Sequence, residues 1–353
     1  MKNSAIIFLL IFQVLSASLS FGQDTPSVFE ALDQTLQKEY GGKFGFSVLV
    51  ADEKKILFSN SYGHIDTSKT KTVNQETLFH IASITKSVTA IGIFQLIEKQ
   101  KLTLDDTIGK FFENVPRDKH SISVSNLLTH RSGFEQNYVC FGIRNSDDAV
   151  SALLNDTLSS LPGTDFIYSN QNFELLALII EKITGSTYED YIRKNILQPL
   201  DMKGSFFWNE INGKENVAGK NQEFPDSLLA RNWDYIGANG IYTNPGELYK
   251  FIKGVIENQL ISENSTESLL SEQYRATSGL SICYGWFKND STTWNTKEIW
   301  TRGSQSWGHN AVIRWFPDKK KVIIVCTNSG EIGEKQSTGN RMISNYIADF
   351  LFK

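Results

Sequence analysis

Hydrophobic and polar positions along the chain separate strand-like ends from a helical middle. Residues 25–40 carry apolar side chains at helical spacing and predict an opening helix. Residues 44–51 and 55–59 are β-type runs on either side of a polar turn, and they predict a pair of strands. Residues 81–100 then form a long, mostly apolar segment, which predicts a second helix.

The rest of the chain continues this division. Residues 101–234 contain mostly helical patches and loops, among which 172–184 is the clearest helix, with Gly185 as its expected cap. Strand-like character returns after Tyr235, and a last helix is predicted over residues 340–352. Four short β-type runs lie between them, at residues 281–288, 297–301, 311–316 and 322–327.

This distribution predicts the fold class and the domains. We expect an α/β (α+β) fold with a mostly antiparallel sheet, flanked by the N- and C-terminal helices and interrupted by an inserted helical domain. The sheet domain is predicted to comprise residues 23–100 and 235–353, including the helix at 81–100. The mostly helical insertion is predicted to comprise residues 101–234.

Composition and charge narrow the possible functions. The chain has 353 residues, of which 40% are hydrophobic and 21% are charged, as expected of a globular protein with a sizeable core. Its formal net charge is −4 at pH 7. Because no domain-wide basic surplus exists, nucleic acid is not expected as a partner.

The N-terminal segment has the pattern of a cleavable signal peptide. An apolar run at residues 5–15 follows Lys2, and it is shorter than the about 20 residues of a membrane-spanning helix. Small residues follow at Ser20 and Gly22, so we expect residues 1–22 to be removed. The mature chain is then predicted to be periplasmic or secreted, without a later membrane span. An uncleaved N-terminal anchor is the alternative.

Cysteines and histidines provide no pattern for a metal site. Cys140, Cys283 and Cys326 allow at most one disulfide, and Cys283 and Cys326 lie in strand-like runs that predict burial. The five histidines lack the helical spacing of a zinc pair, and His130 is expected to pack against backbone groups. Since nucleotide-binding glycine loops are absent as well, no metal or cofactor is predicted.

Ser83-Ile84-Thr85-Lys86 places a hydroxyl and an amine one helical turn apart at the start of a predicted helix. Residues three apart share one helical face, so the Lys86 amine is expected within reach of the Ser83 hydroxyl. A serine hydroxyl needs an adjacent base to become a nucleophile. The helix N-terminus adds positive potential and free N–H groups where an oxyanion would develop. Together these features predict nucleophilic catalysis.

Tyr168-Ser169-Asn170 is a second candidate motif, at the junction between a loop and the predicted helix at 172–184. A phenol in this position can relay a proton between the serine and a leaving group. The Asn170 amide can bind a substrate amide and also steady the lysine. These residue types complement the hydroxyl and amine of the first motif.

Simpler interpretations of both motifs stay open at this point. Ser83 also fits a helix N-cap with Lys86 at the surface, and Tyr168 fits a packed aromatic side chain. Each motif has a second match elsewhere in the chain. These second matches are Ser68-Lys69-Thr70-Lys71, in a charged loop, and Tyr242-Thr243-Asn244.

The order of the motifs resembles the serine β-lactamase and penicillin-binding-protein-like superfamily. The similar branch contains class C β-lactamases, D-Ala-D-Ala carboxypeptidases and related esterases, in which Ser-x-x-Lys is followed by Tyr-x-Asn and by a strand motif ending in Gly. The shared order selects Ser83 and Tyr168 over Ser68 and Tyr242. The resemblance covers nearly the whole chain after the N-terminal segment, through residues 79–86, 101–108, 127–133, 237–243, 284–287 and 316–318.

The third motif departs from the family pattern. The resemblance places Thr301-Arg302-Gly303 where the family usually has Lys or His, then a small or hydroxylated residue, then Gly. Because successive strand side chains point to opposite faces, Arg302 cannot take over the role of the basic residue that Thr301 replaces. The resemblance still implies that the Ser304 backbone N–H is an oxyanion donor beside that of Ser83. Whether this motif recognises a substrate carboxylate stays open.

The resemblance implies a serine hydrolase that forms an acyl-enzyme. In this hypothesis Ser83 attacks the carbonyl, Lys86 and Tyr168 share the proton transfers, and Asn170 orients the acyl side chain. The expected substrate is a small molecule or peptide with an amide, β-lactam or ester bond, so D-Ala-D-Ala carboxypeptidase, β-lactamase and esterase activities stay open. A catalytically silent binding protein with the same fold is the alternative. The oligomeric state is not predicted.

Overall fold

The structure covers the chain after its N-terminal segment. The computed structural model describes residues 28–219, 230–305, 308–329, 331–332 and 337–353. The predicted signal peptide at residues 1–22 lies outside these residues, and so does the start of the predicted opening helix. Within the described residues, no helix combines the length and the apolarity that a membrane crossing requires.

Helices occur along most of the described chain. The predicted helices over 25–40, 172–184 and 340–352 correspond to α1, α5 and α9, and Gly185 ends α5 with a φ of 69°, which glycine adopts without strain. The helices are α1 (Val28–Tyr40), α2 (Thr85–Glu98), α3 (Val124–Leu128), α4 (Ser146–Asn155), α5 (Gln171–Thr184), α6 (Tyr188–Ile192), α7 (Pro245–Ile256), α8 (Glu263–Leu270) and α9 (Gly339–Phe352).

The strands form one large antiparallel sheet and two small ones. The large sheet has the order β2-β1-β11-β10-β9-β8-β7-β6, and the small sheets are β3-β5-β4 and β12-β13. The predicted fold class, with a mostly antiparallel sheet, is confirmed. The strands are β1 (Phe46–Asp52), β2 (Ile56–Tyr62), β3 (Phe79–His80), β4 (Phe206–Phe207), β5 (Ile241–Thr243), β6 (Tyr274–Thr277), β7 (Leu280–Ile282), β8 (Phe287–Asn289), β9 (Glu298–Gln305), β10 (His309–Phe316), β11 (Lys321–Thr327), β12 (Glu331–Ile332) and β13 (Ser337–Thr338).

One strand prediction needs correction, and one strand of the large sheet was missed. The run over residues 281–288 is wrong as a single strand, because a turn closed by the Cys283 N–H to Trp286 carbonyl bond (2.9 Å) divides it into β7 and β8. The edge strand β6 was not predicted, because its short sequence has no clear apolar face. In the structure its side chains alternate between half-buried and exposed, and none is fully buried.

The central strands bury both faces of the large sheet. Side chains of β1 alternate between two hydrophobic clusters, with Val48 and Val50 on one side and Leu49 and Ala51 on the other. The first cluster includes apolar residues of α1 and α9, so these two helices cover one face, as predicted. The second cluster continues into the helical part of the molecule. Burial on both faces explains why β1 is apolar at nearly every position.

Helix α2 lies inside the molecule. Every residue from Thr85 to Leu96 is buried, and the helix packs against α5, α6 and α8. A helix that is apolar all round is typical of such a central position. The polar groups of its first turn, including the Lys86 amine, are therefore held away from bulk solvent and must find partners within the protein.

We expect Leu32→Ala to destabilise the protein by about 2–5 kcal/mol, because the buried Leu32 joins α1 to the sheet and its loss leaves a cavity. Urea unfolding followed by circular dichroism measures the change. Val28→Ala is the control on the same helix, since Val28 is 63% exposed and its loss is expected to cost less than about 0.5 kcal/mol. Equal losses in the two variants would contradict this account of α1.

Candidate active site

Ser83 lies in a tight 3-10 turn that leads from β3 into α2. The turn spans Ala82–Ile84, and the Ile81 N–H anchors it by donating to the Ile241 carbonyl of β5 (3.0 Å). Ala82 has a φ of 46° and is fully buried. This left-handed conformation costs a residue with a side chain roughly 1–2 kcal/mol, so the surrounding packing must hold it. The packing that holds Ala82 in this conformation also fixes the position of the neighbouring serine.

The Lys86 amine joins three separate segments of the chain. Its Nζ donates to Ser83 Oγ (3.0 Å), to Asn170 Oδ1 (2.7 Å) and to the carbonyl of Ala238 (3.0 Å). The side chain is only 3% exposed. Since an ammonium group has three protons, these acceptors satisfy the charged form completely. In the neutral form, the nitrogen lone pair would be available to accept the Ser83 proton across the same contact.

Tyr168 presents its ring, and not its hydroxyl, to the lysine. Lys86 Nζ lies 5.0 Å from the centroid of the Tyr168 ring, within the range of a cation–π contact. Within the described part of the chain, the Tyr168 hydroxyl has no hydrogen bond to Ser83 or to Lys86, and the residue is 37% exposed. The predicted proton relay through Tyr168 therefore stays a prediction, to be tested by reactivity.

His130 holds Tyr168 in place. The two rings stack with their centroids 4.3 Å apart, and His130 Nδ1 accepts the Ser169 N–H at 3.2 Å. Complete burial, followed by the positive charge of Lys86, keeps the pKa of His130 well below its usual value. The imidazole is therefore neutral at ordinary pH. This environment agrees with the expected packing role and adds a contact to the candidate site.

Strand β9 passes directly beside the nucleophile turn. A Cβ atom at Gly303 would lie 2.0 Å from the Ile81 carbonyl oxygen and 2.7 Å from the Ser83 nitrogen, so only glycine allows this approach. The contact brings the edge of β9 next to the Ser83 N–H. Ser304, the predicted second oxyanion donor, is the next residue on this strand.

The side chains of the third motif alternate between the two faces of β9. Thr301 is buried toward α2, where the Ser87 hydroxyl is bonded to Thr301 Oγ1 (2.8 Å) and to the Gly285 carbonyl (2.8 Å). Arg302 and Ser304 are exposed on the other side, although Arg302 also reaches the wall of the Ser83 pocket. Thr301 thus ties β9 to α2, in the position where the resemblance predicts a cation.

Two buried carboxyl groups, those of Glu174 and Asp234, interact electrostatically with the lysine and were not predicted. Burial and the nearby Asp234 raise the pKa of Glu174 to about 8, and burial raises the pKa of Asp234 to about 6. The positive charge of Lys86 partly offsets both shifts. A signal did exist in the sequence, because Glu174 is an acidic residue inside an apolar helix, one turn after Asn170.

The second matches of the two motifs lie in different environments. The Ser68 hydroxyl donates to Asp66 Oδ1 (2.5 Å) in an exposed loop, and Lys71 forms an exposed ion pair with Glu215 (2.8 Å). Tyr242 is buried, and Asn244 caps α7 by accepting the Glu247 N–H (3.0 Å). The structure therefore brings Ser83, Lys86, Tyr168 and Asn170 together and leaves the second matches outside.

Comparisons with known proteins identify the same family that the order of the sequence motifs resembles. The Beta-lactamase family model matches residues 30–344. Penicillin-binding protein 4* of Bacillus subtilis (strain 168) is 29% identical over 328 residues, covering 84% of this chain and 71% of that protein.

Two other similar proteins differ from this one. The first is longer than this chain, and the second is similar to it in fold. Protein flp of Staphylococcus aureus (strain MW2) is 28% identical over 280 residues, covering 73% of this chain and 55% of that protein. The chain thus spans about half the length of the flp protein. A solved structure of a class C beta-lactamase has a TM-score of 0.74 at 22% identity and covers 91% of this chain and 95% of that chain. Similarity at this identity establishes the fold.

We expect Gly303→Ala to slow acylation of Ser83 by at least about tenfold and to destabilise the fold by about 1–3 kcal/mol, because the added methyl group displaces the nucleophile turn. The rate at which benzylpenicillin or a fluorophosphonate labels Ser83 measures the first effect. Urea unfolding measures the second. Gly42→Ala is the control, since a Cβ atom there meets nothing within 4 Å. Normal labelling by Gly303→Ala would show that the contact between β9 and the turn is dispensable.

We expect Glu174→Gln to flatten the dependence of stability on pH. The folded chain holds the Glu174 proton up to a pKa of about 8, whereas the unfolded chain releases it near the ordinary value of 4.5. The free energy of unfolding of the wild type therefore falls as the pH rises between these values. Glutamine does not ionise, so the variant loses this part of the decline.

Urea unfolding at several pH values between about 5 and 9 measures the effect. Glu113→Gln, at an exposed position of the helical part, is the control and should keep the wild-type profile. A Glu174→Gln profile as steep as that of the wild type would show that Glu174 is already ionised in the folded protein.

Proposed function

The chain belongs to the Beta-lactamase family, whose model spans most of its length, and on that basis we propose that it is a secreted or periplasmic serine hydrolase that forms an acyl-enzyme at Ser83. The family consists of serine-type acyl-transfer hydrolases. The substrate class is an amide, a β-lactam or an ester. The proposed location is supported by the apolar run at residues 5–15 and the small residues that follow it.

The contact between Lys86 Nζ and Ser83 Oγ, at 3.0 Å, carries the proposal. It places a nitrogen base within hydrogen-bond distance of the candidate nucleophile, in a buried position and with a fixed orientation. Asn170 Oδ1 and the Ala238 carbonyl orient the amine, because they occupy its other two bonding directions. This arrangement supports the proposal, because nucleophilic catalysis requires a nucleophile, a base and groups that orient the base.

Acylation begins when Ser83 Oγ attacks the substrate carbonyl and its proton moves to the neutral amine of Lys86. The carbonyl oxygen gains a negative charge, which the Ser83 N–H and the Ser304 N–H are proposed to bind. The start of α2 adds positive potential at the same point. Collapse of the tetrahedral intermediate expels the leaving group, which takes a proton from Lys86, with Tyr168 as the proposed relay.

Deacylation reverses these roles with water as the nucleophile. Lys86 accepts a proton from water, the hydroxide attacks the acyl carbonyl, and Ser83 Oγ leaves with a proton returned from the lysine. Asn170 faces the lysine through its carbonyl oxygen, and its NH₂ group, which donates to no acceptor among the described residues, can orient the acyl portion of the substrate.

The third motif widens the set of possible substrates. Thr301 is bonded to Ser87 and supplies no positive charge to the Ser83 pocket. Arg302 reaches the wall of the same pocket, so a cation is present there but not at position 301. Substrates that depend on a cation at position 301 for binding, such as the D-Ala-D-Ala peptide and β-lactams, are therefore not favoured over esters. We propose that ester turnover is at least comparable to β-lactam turnover.

We expect wild-type protein to gain the mass of one acyl or phosphonyl group after incubation with benzylpenicillin or a fluorophosphonate, while Ser83→Ala gains none. Intact-mass spectrometry measures the adduct. Ser68→Ala is the matched control, because it removes the serine of the alternative motif from an exposed loop and should label as the wild type does. The turnover of three compounds by the wild type is then compared. They are a chromogenic cephalosporin, a short-chain aryl ester and a D-Ala-D-Ala peptide.

Absence of labelling by both reagents, with none of the three substrates turned over, would favour the silent binding protein. Adducts that persist in Ser83→Ala and vanish in Ser68→Ala would assign the nucleophile to the other motif. In both cases the melting temperature of each variant shows whether the fold is intact.

A further inference from the structure

The loop that carries the Ala238 carbonyl contacts both α5 and α2. Gly237 has a φ of 79°, and a Cβ atom there would lie 2.3 Å from the Phe173 carbonyl oxygen and 2.6 Å from Ala177 Cβ. The loop therefore rests directly on α5, at a distance that only glycine allows. From α2, Thr89 Oγ1 donates to the Gly237 carbonyl at 2.6 Å. The position of the loop is thus set by one packing contact and one short hydrogen bond.

Thr89 and Lys86 bind neighbouring carbonyls of this loop. They are three residues apart on α2, so they share one helical face. Lys86 Nζ donates to the Ala238 carbonyl at 3.0 Å, and Thr89 Oγ1 donates to the carbonyl of the preceding residue, Gly237. Thr89 is fully buried and Lys86 is 3% exposed. Two consecutive peptide groups are therefore held by two buried side chains that lie one helical turn apart.

The buried Tyr188 hydroxyl completes this hydrogen-bond network. Thr89 Oγ1 lies 2.7 Å from the Tyr188 hydroxyl oxygen, and its other partners are the backbone carbonyls of Gly237 and Thr85, the latter at 3.1 Å. A carbonyl only accepts, so the single proton of Thr89 goes to a carbonyl, with Gly237 at the shorter distance. Tyr188 must then donate to Thr89. The chain of bonds runs from the Tyr188 hydroxyl through Thr89 to the Gly237 carbonyl, and donors in such a chain strengthen one another.

The Ala238 carbonyl decides where the lone pair of Lys86 points. A neutral amine has two protons and one lone pair. When Asn170 Oδ1 and the Ala238 carbonyl accept the two protons, the lone pair is directed at the third partner, Ser83 Oγ. If the Ala238 carbonyl turned away, a proton of the amine could point at Ser83 instead. The lysine would then donate to the serine and could not accept its proton.

We propose that Thr89 is a positioning residue for the reaction at Ser83. Together with Tyr188 it holds the peptide between Gly237 and Ala238, so that the Ala238 carbonyl takes one proton of Lys86 and the lone pair faces the serine. The hydrogen-bond partners of Thr89 include neither the nucleophile nor the base, so it acts through the loop. This inference rests on the proposed hydrolase function, because it concerns the base of that reaction.

Three variants test the network through the rate at which a fluorophosphonate labels Ser83. Thr89→Val keeps the shape of the side chain and removes the hydroxyl, and we expect it to slow labelling by about tenfold or more. Thr89→Ser keeps the hydroxyl and is expected to label within about twofold of the wild-type rate. Tyr188→Phe leaves the bond from Thr89 to Gly237 in place, so we expect a smaller loss of about threefold.

Gln95→Met is the matched control on the same helix. Gln95 Nε2 donates to the carbonyls of Asn195 (3.0 Å) and Leu260 (3.1 Å), which belong to other loops than the one that carries Ala238. The variant thus also removes buried bonds from α2 to backbone carbonyls, and it is expected to lower the melting temperature while labelling at the wild-type rate. A loss of labelling as large as that of Thr89→Val would assign the effect to general weakening of α2 and overturn the proposal.

Crystal structures of the wild type and of Thr89→Val provide a measurement that needs no activity. The distance from Lys86 Nζ to the Ala238 carbonyl oxygen is 3.0 Å, and we expect it to exceed the hydrogen-bond limit of about 3.5 Å in the variant. Should Thr89→Val not fold, Tyr188→Phe is measured in its place. An unchanged distance, or labelling of Thr89→Val at the wild-type rate, would overturn the proposal. A wild type that is not labelled at all would contradict the proposed hydrolase function, and the distance would still decide the role of Thr89.

Discussion

The burial of the Lys86 amine among three acceptors is the interaction on which the rest of the site depends. A buried polar group is costly unless it finds hydrogen-bond partners, and the three partners here are Ser83, Asn170 and the Ala238 carbonyl. These groups belong to the nucleophile turn, the start of α5 and the loop before β5. The amine is therefore satisfied only when the helical part and the sheet part of the molecule are docked together. The candidate site is therefore complete only when these three segments have taken up their positions in the fold.

Some parts of this arrangement were predictable because they depend on local spacing. Ser83 and Lys86 are three residues apart on one helix, so their contact follows from helical geometry. Asn170 was predicted to steady the lysine, and the structure places its carbonyl oxygen there. Most strands of the large sheet likewise followed from hydrophobic patterning, whereas α7 and α8 lie in the part after Tyr235 that was predicted to be strand-like.

Other parts depend on tertiary packing that no local pattern contains. The Ala238 acceptor is a backbone carbonyl, and every residue has one, so no residue type identifies it. The orientation of Tyr168 depends on stacking with His130, which lies on a different segment. Spacing alone also could not separate Ser83 from Ser68, because the difference between them is burial.

Pairing of β1 with β11 has a consequence for how the chain acquires its structure. β1 lies near the start of the described residues and β11 near their end, with only the β2 hairpin as a local neighbour. During synthesis, the edge of β1 that pairs with β11 therefore stays without its partner until almost the whole chain has emerged. An unpaired strand edge is a template for aggregation, and closure of such a long loop is slow. A nascent chain of this protein therefore exposes that edge of β1 for as long as the C-terminal strands are missing.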